Sequence, residues 1–370
     1  MPRRPLRIAA ALAAALSLSL ALVACGGDDD AAADSAGTVA ATAPAGGDFS
    51  VALLNAGSAN DGSWGQSTYQ GLEEAVDELG ITEAGHAENL LTPEEYTQQG
   101  SAFAREGVDL VLLANGSVPQ SLPQVAKVNP DTIVCEAAVT IPDAELPSNG
   151  CAYDPEQQQG AFLAGALAGM TTTTGKVAVV AGFAFPALTR QAEGFILGAR
   201  FANPDVKFDQ VYINSWTDTA AAKAAANAQY AAGADIIFSA TDSATQGIFA
   251  AAQEGDGRYV IASYFDSNAQ APDVVLTSVL YNLDGVTKEM IRRAQAGEIE
   301  PTNYAFGLDF GVGTLAPFYG LEDVVPADAK TRLEEITRQI EDGTITVPDT
   351  EALGVQGAGG KIDTATLTAG

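Results

Sequence analysis

Six short loops hold the acids and aromatic rings of this sequence that could do chemistry. They are Asn60-Asp61-Gly62-Ser63-Trp64, Asn115-Gly116-Ser117, Gly182-Phe183, Ser215-Trp216-Thr217-Asp218, Thr241-Asp242-Ser243 and Tyr264-Phe265-Asp266, each after an apolar run. Together they offer carboxylates, amides, hydroxyls and flat rings, with no Lys, Arg or His. Such a set suits a neutral ligand with hydrogen-bond donors and a planar ring, and it gives a phosphate no positive partner. Plainer readings exist for each residue. Trp64 and Trp216 are either packing residues, as tryptophans usually are, or ring contacts placed where a core residue is less needed. Asp61, Asp218 and Asp242 suit helix N-caps, a role compatible with touching a ligand. His86, in a Gly/Glu stretch, reads as a solvated surface residue.

Enzyme signatures are missing. One histidine removes most chemistry that depends on imidazole, and neither a Gly-x-Ser-x-Gly elbow nor His-Glu-x-x-His occurs. Three cysteines with no Cys-x-x-Cys or His-Cys grouping suggest no metal site, and no cofactor is implied. The run Gly169 to Lys176 differs from a phosphate loop: it has one residue too many between its glycines, no Ser or Thr after the lysine, and a strand after it instead of before. With 18 basic residues against 47 acidic ones the net charge is −29, and no basic cluster follows residue 7. Nucleic-acid binding is therefore excluded.

The N-terminus sets the compartment. Arg3, Arg4 and Arg7 precede an apolar run from Ile8 to Ala24 that stops at Cys25. Basic, apolar, small residue and cleavage is the order of a secretory signal, and Leu22-Val23-Ala24-Cys25 fits a bacterial lipobox. The expectation is a signal peptide over 1–24 and diacylation of Cys25, with the protein extracytoplasmic and lipid-anchored to the cell membrane. Residues 25–47 read as a flexible tether and 351–370 as a loose tail, being rich in Gly, Ala and Thr.

Between these ends, Val/Ile/Leu-rich strands alternate with helices. A strand at 50–55 leads to a helix at 63–79, with Ser63 and Gln66 spaced as a capping box and Gly80 as its stop. Thr92-Pro93-Glu94-Glu95 marks another helix start. Strands at 109–115 and 132–138, a helix at 155–170 and a strand at 176–182 continue the rhythm, which runs on to a helix at 331–342. The pattern means parallel sheets covered on both faces, and roughly ten units exceed one open sheet, so two α/β lobes are expected. Ligands of such folds sit beyond the carboxyl ends of the strands, where the six loops lie. Cys135 and Cys151 fall on adjacent strands, either bridged in an oxidising compartment or left as buried thiols.

Longer stretches carry a family resemblance. VALLNAGSANDGSWGQSTYQGLEEAVDELG, GAFLAGALAGMTTTTGKVAVVAGFAFP and VYINSWTDTAAAKAAANAQYAAGADIIFSATDS, followed by LTSVLYN, GVGTLAPF and IEDGTITVP, resemble in order the basic membrane lipoprotein family of ABC-transporter substrate-binding proteins. The resemblance covers about residues 48–350. It implies an α/β type I periplasmic-binding-protein fold, two doubly wound parallel-sheet lobes joined by a hinge. Lobe 1 would hold 48–152 and 281–310, and lobe 2 would hold 153–280 and 311–350. It also implies a purine base or nucleoside as ligand, and an ABC permease and ATPase as partners. By position, Asp61 and Trp64 match one side of the family's purine grip and Trp216 the other, with Asn115 and Asp242 in cleft loops. Two positions depart from the family. Ala262-Ser263-Tyr264-Phe265-Asp266 replaces a frequent Gly-Val-Asp-x-Asp, and Tyr281 stands where a lysine is frequent. Both changes fall near the expected sugar, which favours a free base or a differently substituted ring. The expected ligand-binding set is Asn60, Asp61, Trp64, Asn115, Trp216, Asp218, Asp242, Tyr264 and Asp266. The alternatives are a sugar-binding protein of the same fold and a lipoprotein sensor without a transporter.

Overall fold

Strands made of unbroken apolar residues need cover on both faces, and the computed structural model, which describes residues 49–348, provides it. The expected signal peptide, Cys25, the tether and the tail at 351–370 lie outside the described residues. The chain begins β1 (Ser50–Asn55), α1 (Trp64–Leu79), β2 (Thr82–Ala87), α2 (Pro93–Glu106), β3 (Leu110–Ala114), α3 (Ser121–Ala126), β4 (Ile133–Ala137) and β5 (Gly150–Pro155). It continues with α4 (Gln157–Thr171), β6 (Lys176–Ala181), α5 (Pro186–Ala202), β7 (Lys207–Tyr212), α6 (Thr219–Ala231), β8 (Ile236–Ala240), α7 (Thr245–Ala252), β9 (Tyr259–Tyr264) and β10 (Val275–Leu280). It closes with α8 (Leu283–Gln295), β11 (Asn303–Phe306), β12 (Thr314–Leu315) and α9 (Ala329–Glu341).

Among the described residues two six-stranded sheets form, ordered β2-β1-β3-β4-β5-β11 and β7-β6-β8-β9-β10-β12. Every pairing is parallel except β10 with β12. Both sheets follow the doubly wound pattern, with the chain reversing direction between β1 and β3 and again between β6 and β8. The chain crosses between sheets three times: after β5, after β10 and after β11. Burial shows why the strands read as continuous. Val51 and Leu53 enter one core cluster and Ala52 and Leu54 another, and all four are fully buried.

Glycines let α4 and α5 pack backbone against backbone. A Cβ at Gly165 would strike the carbonyl oxygen of Phe195, and one at Gly198 would strike that of Phe162. At the start of α4, Arg190 of α5 grips Asp154 of β5 with two bonds of 2.6 and 3.0 Å, both side chains buried. Cys135 and Cys151 sit opposite each other on β4 and β5, with Cα atoms 4.5 Å apart, and are joined as a disulfide.

Two local expectations need correction. His86 is not a solvated loop residue: it lies in β2 opposite Leu53, stacks on Tyr69 with ring centroids 4.3 Å apart, and its Nε2 is 3.2 Å from Asn55 Nδ2. Burial lowers its pKa, which favours the neutral ring. β2 is a polar edge strand, so it lacks the apolar signal that marks the others. Ser63 does occupy the N-cap of α1, but its side chain makes no capping bond. Asp61 does that work instead, as described next. At α2 the expected capping box is present, with Thr92 and Glu95 bonded reciprocally.

Candidate ligand-binding site

The loops at the two switch points face each other across a slot with about 450 Å³ of empty space, open solvent included. Trp64, which opens α1 after β1, and Asn115, after β3, come from the first sheet; Phe185, Trp216, Asp242 and Tyr264 come from the second. Among the described residues, no Lys, Arg or His lines the slot.

Each ring is held by a different device. Trp64 Nε1 donates to the Ala114 carbonyl oxygen at 2.9 Å, which leaves the ring face as its main offering. Trp216 lies on Gly182, where an added Cβ would collide with the indole, and is flanked by Phe183 at 4.9 Å and Phe185 at 6.1 Å between centroids. Tyr264 has φ of 77°, in the left-handed region that a bulky residue adopts only under constraint. Its ring meets Trp64 edge-on at 6.5 Å and lies 5.5 Å from Tyr281. Tyr281 is fully buried and accepts a bond from Gln191 Nε2 at 2.8 Å, so it supports Tyr264 from behind.

The acids divide by role. Asp61 Oδ1 accepts from the backbone N–H groups of Ser63 and Gln66 at 2.8 and 3.0 Å, and its Oδ2 accepts from that of Gly65 at 3.1 Å. It therefore caps α1, fitting against Gly57 and Gly65, where a Cβ would clash with its carboxylate. That capping leaves the Ser63 hydroxyl free to reach across the cleft and donate to Asp242 Oδ1 at 2.5 Å. Asp242 is the first residue of a 3-10 turn and not its N-cap, which is Thr241. Burial, reinforced by the negative charge of Asp61 and opposed by the Ser63 bond, pushes its pKa up to about 7.

Of the nine residues expected from sequence, Trp64, Asn115, Trp216, Asp242 and Tyr264 line the slot together. Asp61 borders a polar recess beside it, along with Ser63 and Asp242. Asn60, Asp218 and Asp266 are exposed and do not line it. Their side chains act locally: Asn60 accepts from Ser58, Asp218 caps α6 through Ala221 N–H at 2.9 Å, and Asp266 accepts from the Tyr319 hydroxyl. Sequence reasoning missed Phe185 and Gln157 in the lining. Phe185 had a signal, since Phe183-Ala184-Phe185 follows β6. Gln157 had none beyond its place at the first crossover.

Two doubly wound lobes with an aromatic slot at facing strand ends define a type I periplasmic-binding fold built to enclose a small molecule. The chain belongs to the family described as ABC transporter substrate-binding protein PnrA-like (Bmp), whose profile matches residues 49–351. A purine-binding protein of Brucella abortus is 28% identical over 299 residues, covering 80% of this chain and 81% of its own length. The ABC transporter nucleoside-binding protein BmpA of Lactococcus lactis is 25% identical over 321 residues, covering 81% and 89%. In structure, a solute-binding protein of an ABC transporter system from Aeropyrum pernix superposes with a TM-score of 0.73 at 20% identity, covering 82% of this chain and 94% of its own, a likeness of fold.

Proposed function

We propose that this chain captures a purine-type ligand, base or nucleoside, between Trp64 and Trp216 and delivers it to an ABC permease and its ATPase without chemical change. The observation that carries this reading is the slot itself: among the described residues its lining holds an indole from each lobe, two side-chain amides and a carboxyl group, and no cation. A planar heterocycle stacks on such walls and satisfies its polar edge with few partners. A monosaccharide needs a polar partner for each hydroxyl, and the lining side chains Asn115, Gln157, Asp242 and Tyr264 are few for that. The relatives named for purine and nucleoside binding support the same choice. The lobes assigned to 48–152 with 281–310 and 153–280 with 311–350 would rotate about the three crossovers, and the Ser63–Asp242 bond and the Trp64–Tyr264 contact mark the closed form.

A free base is favoured over a nucleoside because the bulky ring of Tyr264 lines the slot where the family's frequent carboxylate would leave room for a sugar. Calorimetric titration of ligand-stripped protein with adenine, guanine, adenosine, guanosine and several monosaccharides tests this. Bases should bind at least as tightly as their nucleosides; nucleosides binding tenfold tighter would overturn the preference for a base, and tight binding of a sugar alone would overturn the purine reading. For the anchor, diacylation of Cys25 predicts that Cys25→Ser leaves the membrane fraction or stays unprocessed. An intact mass showing an unmodified mature N-terminus at another position would refute it.

A further inference from the structure

Of three consecutive glutamines at the first crossover, one faces the ligand slot. Gln159 is occupied within the protein: its Oε1 accepts from Leu308 N–H at 3.0 Å and its Nε2 donates to Glu156 at 2.9 Å. Gln158 is buried and its amide atoms also have no hydrogen-bond partner among the described residues, but it does not line the slot. Gln157 lines it, is 3% exposed, and its Nε2 has no hydrogen-bond partner among the described residues. Buried donors are nearly always paired in folded proteins, and an unpaired one lowers stability. A donor that stays unpaired on the wall of a binding slot points to a partner that arrives with the ligand. Gln157 is also the first residue of α4, a helix of 15 residues, so the positive end of the helix dipole lies beside the same wall. The Asp154–Arg190 pair and the close packing of α4 on α5 hold that helix end in place.

We propose that the Gln157 side-chain amide donates a hydrogen bond to an acceptor atom of the bound ring, so that the site selects planar ligands carrying a carbonyl oxygen or an unprotonated ring nitrogen at that edge. This rests on the reading of the slot as a holder of planar ligands, and it names the one polar group on the α4 side that would read them. Asp242 lies on a different loop and serves a second polar position.

The test uses the full chain, stripped of ligand, as wild type, Gln157→Leu, Gln157→Met and the control Gln158→Leu. Its first arm needs no ligand. Replacing an unpaired buried amide with an apolar group of similar size should leave Tm unchanged or raise it; a fall of several degrees in both Gln157 variants would mean Nε2 serves the fold, and would overturn the proposal. In the second arm, titration with hypoxanthine, adenine and unsubstituted benzimidazole, both Gln157 variants should bind the purines roughly five- to thirtyfold more weakly, while Gln158→Leu binds like wild type. Unchanged purine affinity in the Gln157 variants would overturn the proposal and leave the purine reading standing. Wild type binding none of the three probes would defeat the purine reading instead. Gln157 would then be judged by the Tm arm together with native mass spectrometry of unstripped protein, where loss of a co-purifying small molecule from the Gln157 variants alone supports the proposal and equal retention refutes it.

Discussion

Two loops of this protein each carry a Ser-Trp pair beside an Asp, and the fold uses them differently. Asp61 precedes Trp64 after β1, and Asp218 follows Trp216 after β7. Both carboxylates cap a helix. Asp61 takes three backbone N–H groups, and this positions α1 so that Trp64 begins it and faces the slot. Asp218 takes one N–H group, that of Ala221 in α6, and is exposed and clear of the slot. The tryptophans differ as well: Trp64 is tied to the sheet by its ring nitrogen, whereas Trp216 is placed by the bare backbone of Gly182 beneath it. A binding residue can thus be set by a hydrogen bond or by the absence of a side chain, and only the first kind leaves an unsatisfied partner when it is removed.

The largest effect should follow from breaking the first loop. Asp61→Ala orphans three N–H groups at the start of α1 and should destabilise the protein by about 2–4 kcal/mol, read by chemical denaturation, with ligand affinity falling as Trp64 loses its platform. Full stability in this variant would show that the cap is dispensable. Next come the rings. Trp64→Ala and Trp216→Ala should each weaken ligand binding about tenfold to a hundredfold, stacking being worth roughly 1–3 kcal/mol. Trp64→Ala should also lose stability through the Ala114 carbonyl, whereas Trp216→Ala, whose ring is placed by Gly182, should not. A drop in Tm with unchanged affinity in both variants would make them packing residues.

Asp242 links the two lobes to pH. Its folded pKa of about 7 stands above the ordinary carboxyl value, so the folded protein holds a proton that the unfolded chain has released between about pH 4 and pH 7. Its contribution to stability is therefore full at low pH and is lost as pH rises through 7. Glu136, buried in β4 and pushed up to about 9 by that burial, acts in the same direction over a wider range. Subtracting Asp242→Asn from wild type isolates the first term: ligand-free wild type should lose roughly 1–2 kcal/mol more than the variant between pH 5 and pH 7. Parallel pH profiles would remove Asp242 as the titrating group. The smallest change belongs to the second loop, where Asp218→Ala should cost about 0.5–1 kcal/mol and leave affinity untouched. An affinity loss there would return Asp218 to the ligand site.

Local pattern made most of the architecture legible. Apolar runs of five or six residues, Thr92-Pro93-Glu94-Glu95 and Gly80 act over a few neighbouring residues, so each strand or helix could be read without knowing its surroundings. The order of elements then led to two parallel sheets and to the strand ends as the place of the site. β2 escaped because an edge strand with one open side does not require apolar residues, and His86 was misread with it.

What the chain alone determined, then, was the set of elements and the loops that end them, because periodicity and capping are short-range. Tertiary structure decided which residues of those loops meet. Ser63 and Asp242 are 179 positions apart and bond only because two sheets close on one another. Asn60, Asp218 and Asp266 share the composition of the site residues, yet the backbone turns them to solvent. Gln157 carries no local mark and enters the slot because a buried ion pair and glycine-mediated helix packing hold its helix end there. Side-chain direction at a loop depends on contacts from distant segments, and those form only when the chain is folded.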